Sequence, residues 1–272
     1  MSMRDKDGND SMEQKNPMPV LSLRSVSKSF GGVRAVGSVS TDVAPGERRL
    51  FIGTNGAGKT TLFNLIAGDL QVTSGTIRLF GKDVTNLPVR TRVKMGMRRT
   101  YQTSALFDGL TVRQNLYLAL LGGESALSHL NMFRSNRKNR RYNEKIEETA
   151  RRIDMFAKLD DKVEALSHGE RRQLEFGLAI IPEPKVLLFD EPAAGLSADE
   201  RQTMLGLIRS LGRDVTVIMI EHDIELAFAI ADYVVVMFDG DVVAEGSVDE
   251  IRGNKLVQQI YLGETAHDGS NS

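Results

Sequence analysis

Hydrophobic and polar residues follow two different periods along the chain. Residues 21–26 and 33–43 alternate on either side of Gly31-Gly32, which is typical of two strands joined by a turn. Residues 48–52 predict a third short strand, and residues 60–67 have the spacing of a helix. The first third of the folded chain is therefore expected to contain strands followed by a helix.

The middle of the chain has the period of helices. Residues 111–120 carry a helical stripe, and Ile146, Ala150, Ile153 and Ala157 fall on one face at helical spacing. We expect this region to be mostly helical.

The last third alternates between helix and strand. After Gly169 the pattern predicts a helix, followed by strands over 186–189, 215–220 and 233–238 with helices between them, one of which covers about 198–211. Such alternation is typical of a parallel sheet between helices. The first and last thirds are therefore predicted to form one α/β core, into which the helical middle is inserted.

Composition limits the class of protein. With 41% hydrophobic and 26% charged residues, the chain has the composition of a soluble globular protein. It has no cysteine, which excludes disulfides and thiolate metal sites and fits a reducing compartment. Its first residues lack the apolar stretch of a signal peptide, and no run approaches the ~20 apolar residues of a membrane span. The cytoplasm is the default expectation.

Charges nearly cancel, with 35 Lys and Arg against 36 Asp and Glu. This balance does not favour a nucleic-acid-binding protein, which usually has a basic excess. The most basic stretch, 134–141, is interpreted as a solvated loop or helix face. Residues 1–17 and 264–272 are polar and lack periodicity, so both are predicted to be disordered tails.

A glycine-rich segment joins the third strand to the first helix. Residues 53–60 read Gly-Thr-Asn-Gly-Ala-Gly-Lys-Thr and match the P-loop pattern in the strand–helix context that it requires. Successive N–H groups of such a loop and the helix N-terminus bind phosphate oxygens, while Lys59 reaches the β and γ phosphates and Thr60 ligates Mg²⁺. The predicted ligand is ATP or GTP; a glycine-rich turn is the alternative.

Two carboxylates follow the apolar strand at 186–189. Asp190 and Glu191 stand at its carboxyl end, the edge of a parallel sheet where ligands bind. Asp190 is predicted to hold Mg²⁺ and Glu191 to orient or deprotonate the attacking water. Without the P-loop, the pair would be interpreted as solvated residues at the end of a strand.

Residues 166–173 read Leu-Ser-His-Gly-Glu-Arg-Arg-Gln and precede a helix. Ser167 followed three residues later by Glu170 is a capping box, which alone would explain the segment. Placed between the P-loop and the Asp-Glu pair, it also resembles the signature motif of the ABC ATPases. In that family Ser167 and the Gly169 N–H would bind the γ-phosphate of an ATP held by a second subunit. The resemblance therefore implies a dimer.

Three more residues match motifs of this family. Gln102 is similar to the Q-loop glutamine, which contacts Mg²⁺ or water and links the core to the helical subdomain. His222 is similar to the switch histidine, whose imidazole hydrogen-bonds the γ-phosphate. Phe30 stands where the family places an aromatic ring on adenine. On their own they would be interpreted as a polar surface residue, a structural histidine and a core phenylalanine.

The resemblance covers about residues 21–263 and implies the ABC ATPase fold. This is an α/β fold with a P-loop (RecA-like) core, an antiparallel β subdomain and an inserted α-helical subdomain. The implied ABC ATPase domain spans 18–263, with its core at 18–100 and 182–263 and the helical subdomain at about 103–181.

The resemblance also implies a set of site residues. The catalytic residues are Lys59, Gln102, Glu191 and His222. The Mg²⁺ ligands are Thr60, Gln102 and Asp190. The residues that bind ATP are Phe30, Gly53, Asn55, Gly56, Ala57, Gly58, Lys59, Thr60, Thr61, Ser167 and Gly169.

Four positions depart from the family pattern. Thr54 replaces a frequent proline, His168 and Glu170 replace the usual Gly and Gln of the signature, and Ser197 occupies the D-loop position where Asp is common. These differences concern how two subunits are coupled rather than ATP binding.

Within the family, the chain is most similar to the ATP-binding subunits of branched-chain amino acid importers. The likeness lies in segments 98–102, 105–107, 110–116, 190–196 and 261–263, and the basic insert at 132–141 also has a counterpart there. It implies a peripheral subunit on the cytoplasmic face of the inner (plasma) membrane that powers uptake of branched-chain or other amino acids. The ATPases of urea or amide importers and of a lipopolysaccharide exporter have similar sequence segments and are the alternatives.

The implied partners are transmembrane permease subunits and a second ABC ATPase subunit, in a homodimer or, as importers of this group suggest, a heterodimer. An importer would also use a periplasmic substrate-binding protein, and no nucleic acid is expected. Another class of function is a non-transport ABC ATPase acting on DNA or ribosomes. A third interpretation is a degenerate cassette serving a heterodimer, against which Lys59, Asp190, Glu191 and His222 are all intact.

Overall fold

The computed structural model describes residues 18–100, 106–123 and 136–260. Its strands are β1 (Leu21–Phe30), β2 (Val33–Val43), β3 (Arg48–Gly53), β4 (Ser74–Leu79), β5 (Lys82–Asp83), β6 (Met97–Arg99), β7 (Val186–Asp190), β8 (Thr216–Ile220), β9 (Tyr233–Phe238) and β10 (Asp241–Ser247). Its helices are α1 (Lys59–Ala67), α2 (Val89–Lys94), α3 (Val112–Gly123), α4 (Asn136–Arg152), α5 (His168–Ile180), α6 (Ala198–Arg209), α7 (Ile224–Phe228) and α8 (Val248–Arg252).

The described strands form two sheets. A four-stranded antiparallel sheet has the order β2-β1-β4-β5 and contains the predicted hairpin, in which Leu21 pairs with Val43. A six-stranded sheet has the order β10-β9-β3-β8-β7-β6. Its strands β9, β3, β8, β7 and β6 are parallel, and β10 is antiparallel to β9. The predicted parallel sheet is confirmed, and β10 adds an antiparallel edge.

Both faces of the parallel sheet are buried. Alternate residues of each strand point to opposite sides and pack in two different clusters. In β3, Leu50 and Ile52 pack with the helices of the middle region, whereas Phe51 packs with α1 and the antiparallel sheet. In β7, Leu187 packs on the same side as Leu50, and Val186 packs on the same side as Phe51. This explains why the strands read as continuous apolar runs.

The described elements between Val112 and Ile180 are helical, as predicted, with 3₁₀ turns at Phe156–Lys158 and Val163–Ala165. The proposed division at 18–100, 103–181 and 182–263 remains a prediction. One detail was wrong: Ile146, Ala150 and Ile153 are buried, but Ala157 is exposed. The chain leaves the helix at Asp154, whose φ of 56° is left-handed, and Met155 is buried instead.

Arg92 binds the carboxyl end of α1 from inside the protein. It is 1% exposed, and its guanidinium donates to the carbonyls of Leu65 at 2.7 Å, Ile66 at 2.6 Å and Val84 at 2.7 Å. Burial lowers the pKa of Arg92 to about 10, so it stays charged at neutral pH. The cation thus satisfies carbonyls that a helix end leaves without intrahelical partners.

The parallel strands place three predicted segments at one edge. β3, β7 and β8 are neighbours and end at Gly53, Asp190 and Ile220, so the loops after them emerge side by side. Both predicted tails lie outside the described residues, as do residues 134 and 135 of the basic stretch. Residues 136–141 of that stretch belong to α4, where Arg140 and Arg141 are exposed. No helix in the described ranges is long and apolar enough to cross a membrane.

Candidate nucleotide-binding site

Three glycines shape the loop between β3 and α1. The φ angles are 152° at Gly53, 80° at Gly56 and 92° at Gly58. A Cβ on Gly53 would lie 2.1 Å from the carbonyl oxygen of Met237, and one on Gly58 would lie 2.3 Å from that of Ala35. Gly53 and Gly58 are therefore required because the loop packs directly on the backbone of β9 and β2.

Lys59 holds the curled loop from within. Its side chain is buried, and Nζ donates to the carbonyl oxygens of Gly53 at 2.6 Å and Thr54 at 2.8 Å. The rim of the loop is open, since Asn55, Gly56 and Thr60 are exposed. Ala57 is buried beneath it and Thr61 is half-buried. A buried ammonium beside an open ring of backbone N–H groups suits an anionic ligand.

Phe30 is 48% exposed at the end of β1, so its interpretation as a core phenylalanine is wrong. Lys28 Nζ lies 5.0 Å from the centroid of its ring. The β1–β2 hairpin approaches the P-loop, since Ala35 of β2 contacts Gly58. An exposed ring next to a phosphate-binding loop is available to stack on a base.

Asp190 is buried at the end of β7. Its Oδ2 accepts a 2.8 Å hydrogen bond from Arg99 Nη2, whereas its Oδ1 is buried and accepts none from the described residues. The described ranges hold no cluster of three His, Cys, Asp or Glu residues that could bind a metal. One carboxylate oxygen at the sheet edge where Thr60 lies in the first turn of α1 suits Mg²⁺, which keeps several waters and phosphate oxygens as ligands. The residues present therefore fit the ion.

Glu191 and His222 are in direct contact. Glu191 Oε1 lies 2.7 Å from His222 Nε2, and the two side chains are 21% and 47% exposed. Glu191 has a φ of 51°, a left-handed conformation that is rare for this residue type. Its N–H donates to Ile220 O at 3.0 Å, which ties the two loops together. The structure thus brings together two of the predicted catalytic residues.

Sequence reasoning assigned no role to Glu221, which is 4% exposed. Its Oε1 accepts from the Ala193 N–H at 3.1 Å and its Oε2 from the His222 N–H at 2.9 Å. Burial raises the pKa of the Glu221 carboxyl, and these donors together with the Asp223 N–H oppose that rise. The signal in the sequence was an acid directly after a buried strand whose last four residues are apolar.

Arg99 was also given no role of its own. Besides Asp190, it donates to Asn64 Oδ1 at 2.6 Å and to Asp69 Oδ2 at 3.0 Å. It therefore joins β6, α1 and β7 around the predicted Mg²⁺ ligand. No local pattern marks such a residue, because its partners come from distant segments.

The segment at 166–173 forms the predicted capping box. Ser167 Oγ accepts from the Glu170 N–H at 3.3 Å, and Glu170 Oε2 accepts from the Ser167 N–H at 2.9 Å. Glu170 also forms an ion pair with Lys158. A Cβ on Gly169 would lie 2.2 Å from Glu200 Oε1, so α5 begins directly against α6.

Two remaining positions complete the comparison with the predicted site. Ser197, at the D-loop position, caps α6 and forms a second capping box with Glu200. A serine keeps the capping function that an aspartate would have there. Gln102 lies outside the described residues.

Comparison with known proteins yields a consistent set of relatives. A family model described as "ABC transporter" matches residues 36–194. The "High-affinity branched-chain amino acid transport ATP-binding protein BraF" of Pseudomonas aeruginosa is 34% identical over 251 residues, covering 90% of this chain and 98% of that protein. The "High-affinity branched-chain amino acid transport ATP-binding protein LivG" of Escherichia coli strain K12 is 35% identical over 256 residues, covering 90% of this chain and 98% of that protein.

A solved structure has the same fold. The ADP conformation of MJ1267, described as an ATP-binding cassette of an ABC transporter, is similar with a TM-score of 0.78 and 29% sequence identity. The likeness covers 90% of this chain and 99% of that one.

Proposed function

The chain belongs to the ABC transporter family, and we propose that it powers the uptake of branched-chain or other amino acids through separate membrane subunits. As a member of the family it is an ATP-binding subunit with ATPase activity. The substrate is proposed because BraF and LivG, which align over 90% of the chain, are described as ATP-binding proteins of branched-chain amino acid transport.

ATP binding is proposed to exchange contacts that the loop already makes. Lys59 Nζ, which now lies on the Gly53 and Thr54 carbonyls, would move to oxygens of the β and γ phosphates. The N–H groups of residues 55–61 would surround the phosphates, and the exposed ring of Phe30 would stack on adenine. Because the loop is already curled, few backbone changes are needed.

The Mg²⁺ ligands are proposed to be Asp190 and Thr60, with Gln102 as the third predicted side chain. Asp190 Oδ1 supports this because it is buried without a hydrogen bond from the described residues. When bound, the ion supplies positive charge that neutralises the phosphate oxygens.

The contact between Glu191 and His222 carries the proposal of hydrolysis. The Glu191 carboxylate would accept a proton from water as the water oxygen bonds to the γ-phosphorus and the bond to the β–γ bridging oxygen breaks. His222, held at 2.7 Å from this carboxylate, would hydrogen-bond the γ-phosphate. Both groups stand at the same sheet edge as the P-loop, where the γ-phosphate would lie.

A second ATPase subunit is proposed to complete the site. Ser167 is exposed at the start of α5 and would donate to a phosphate presented by another chain, while the Gly169 N–H would exchange its present bond to Glu200 for that phosphate. Two ATP molecules would then close the dimer, and hydrolysis would reopen it. Whether the second subunit is a copy of this chain or a related ATPase is tested by what co-purifies.

Membrane permeases are proposed to dock in an apolar groove of about 280 Å³. Its walls include Ala67 at the end of α1, Met97 on β6, Ala119 on α3 and Leu178 on α5. Arg99 also lines it and bonds Asp190, so a permease helix seated there would be one side chain away from the nucleotide site. The subunit would thus lie peripherally on the cytoplasmic face of the membrane, and a periplasmic substrate-binding protein would deliver the amino acid.

The decisive experiment on hydrolysis is Glu191→Gln. We expect kcat to fall by about 100-fold or more, because a general base typically contributes ~10²–10⁴-fold. ATP affinity should persist, since the P-loop is untouched, and the closed ATP-bound dimer should accumulate on size-exclusion chromatography. Glu148→Gln, on the exposed face of α4, is the control and should behave as the parent. A parent-like rate in Glu191→Gln would contradict the proposal.

The transported substrate is tested separately. The chain, purified from its native membranes, should bring permease subunits and a periplasmic protein that binds branched-chain amino acids. Deleting its gene should abolish uptake of labelled leucine, and the parent gene, but not the Glu191→Gln variant, should restore it. Co-purification with lipid-export components would instead favour an exporter.

A further inference from the structure

A buried carboxylate joins the two loops that carry the proposed catalytic pair. Glu221 follows β8 and is 4% exposed, although the ligand site beside it is open. One oxygen accepts from the Ala193 N–H and the other from the His222 N–H. Each loop therefore contributes one backbone donor to the same side chain.

These two donors lie close to or within the proposed catalytic pair, Glu191 and His222. Ala193 is two positions after Glu191, and the turn between them is closed by the Ala194 N–H on Glu191 O at 3.1 Å. His222 is itself the second donor. Glu191 adopts a left-handed φ of 51°, a conformation that persists only where the surrounding structure holds it.

We propose that Glu221 is a positioning residue, which fixes the loop of Glu191 to the loop of His222 and thereby sets the geometry of ATP hydrolysis. This inference rests on the proposed roles of those two residues. Glu221 acts through the backbone on both sides of the pair, by accepting from the Ala193 and His222 N–H groups.

An ionised side chain is well suited to this task. Hydrogen bonds from N–H groups to a carboxylate are shorter and stronger than those to a neutral acceptor. Burial and the negative charge of Glu191 oppose ionisation and raise the pKa of Glu221, while the N–H groups of His222, Ala193 and Asp223 oppose that rise. An amide of the same shape has one acceptor oxygen and would direct its NH₂ group at one of the two donors.

Glu221→Gln is therefore the sharpest variant. We expect kcat to fall by about 10–100-fold, since a displacement of ~1 Å from productive geometry costs up to ~10²-fold. The KM for ATP should stay within about twofold, because the P-loop makes no use of Glu221. Glu221→Asp retains both acceptor oxygens and should keep a higher kcat than Glu221→Ala, which retains neither.

Glu47→Gln is the matched control. Glu47 also accepts a backbone N–H, from Ala44 at 2.9 Å, but it precedes β3 and so lies at the far end of the strand from the P-loop. This variant should lower thermal stability while kcat stays at the parent value. Each variant is assayed with saturating Mg²⁺ and ATP at a fixed interval below its own Tm.

The outcomes separate this inference from the proposed function. If Glu191→Gln is inactive but Glu221→Gln keeps the parent kcat, the inference is wrong and the proposed function stands. If Glu191→Gln is fully active, the proposed function itself fails. An equal loss of kcat in Glu47→Gln and Glu221→Gln would also overturn the inference, because general destabilisation would then explain both.

Discussion

Arg99→Met should strongly destabilise the protein in the absence of nucleotide. The Arg99 and Asp190 side chains are 7% and 1% exposed and pair at 2.8 Å. Methionine keeps most of the apolar stem of arginine but removes the cation. The Asp190 carboxylate would then stay buried without the charge that compensates it.

The size of the effect follows from burial. Removing one partner of a buried ion pair costs about 3–5 kcal/mol, because the remaining charge is left uncompensated. The bond to Asp69, whose side chain is 30% exposed, contributes less. At about 2–4 °C per kcal/mol, Tm should fall by roughly 6–20 °C.

A double-mutant cycle tests this reasoning by urea unfolding without nucleotide. Adding Asp190→Asn to Arg99→Met removes the uncompensated charge, so the double variant should be about 1–2 kcal/mol more stable than Arg99→Met alone. Arg98→Met is the control, because Arg98 donates at 3.1 Å to the Val93 carbonyl and should cost about 1 kcal/mol. Strictly additive losses in the double variant would refute the account.

Three further outcomes are expected. Arg92→Met should cost at least about 3 kcal/mol by urea unfolding, since it removes charge-assisted bonds to carbonyls at the end of α1, and Arg92→Lys should restore only part of this. Gly58→Ala should weaken ATP binding at least about tenfold by fluorescence titration, since its Cβ meets a backbone oxygen at 2.3 Å; Gly56→Ala, with no atom within 4 Å, should be milder. The hydrogen bond from Lys158 lowers the pKa of Glu170, so its stabilising contribution is complete above the ordinary value of 4.5 and is lost as pH falls through the lowered pKa. Glu170→Gln should therefore flatten the acid side of a plot of Tm against pH.

The fold was largely predictable because its central strands are apolar and regularly spaced. β3, β7, β8 and β9 were each predicted within two residues of their observed bounds. β4, β5, β6 and β10 were not predicted. β5 has two residues and β6 three, too few to show a period, but β4 and β10 have six and seven. Ala157 was placed on the helical stripe because spacing cannot detect the left-handed turn at Asp154 that ends α4.

For the candidate site, what could be predicted depended on whether a residue belongs to a contiguous motif. Residues in contiguous motifs, such as Lys59 in the predicted P-loop and Glu191 after β7, could be proposed from sequence because the proposed chemistry needs them at fixed spacings. Arg99 and Glu221 could not be assigned, although both lie within segments that drew attention. Their partners come from other elements of the fold, so only the folded chain shows what they hold.

The segment that resembles the signature motif forms a capping box in the structure. Ser167 Oγ accepts the Glu170 N–H, which fixes the hydroxyl at the start of α5 and leaves its hydrogen to donate to a phosphate. The cap needs only an acceptor oxygen at residue 170, and glutamine or glutamate supplies one. The glutamate found here adds a negative charge where an anion is proposed to bind, but the ion pair with Lys158 offsets that charge. The departure at residue 170 is thus compensated within the chain by the ion pair with Lys158. This compensation argues against a degenerate signature.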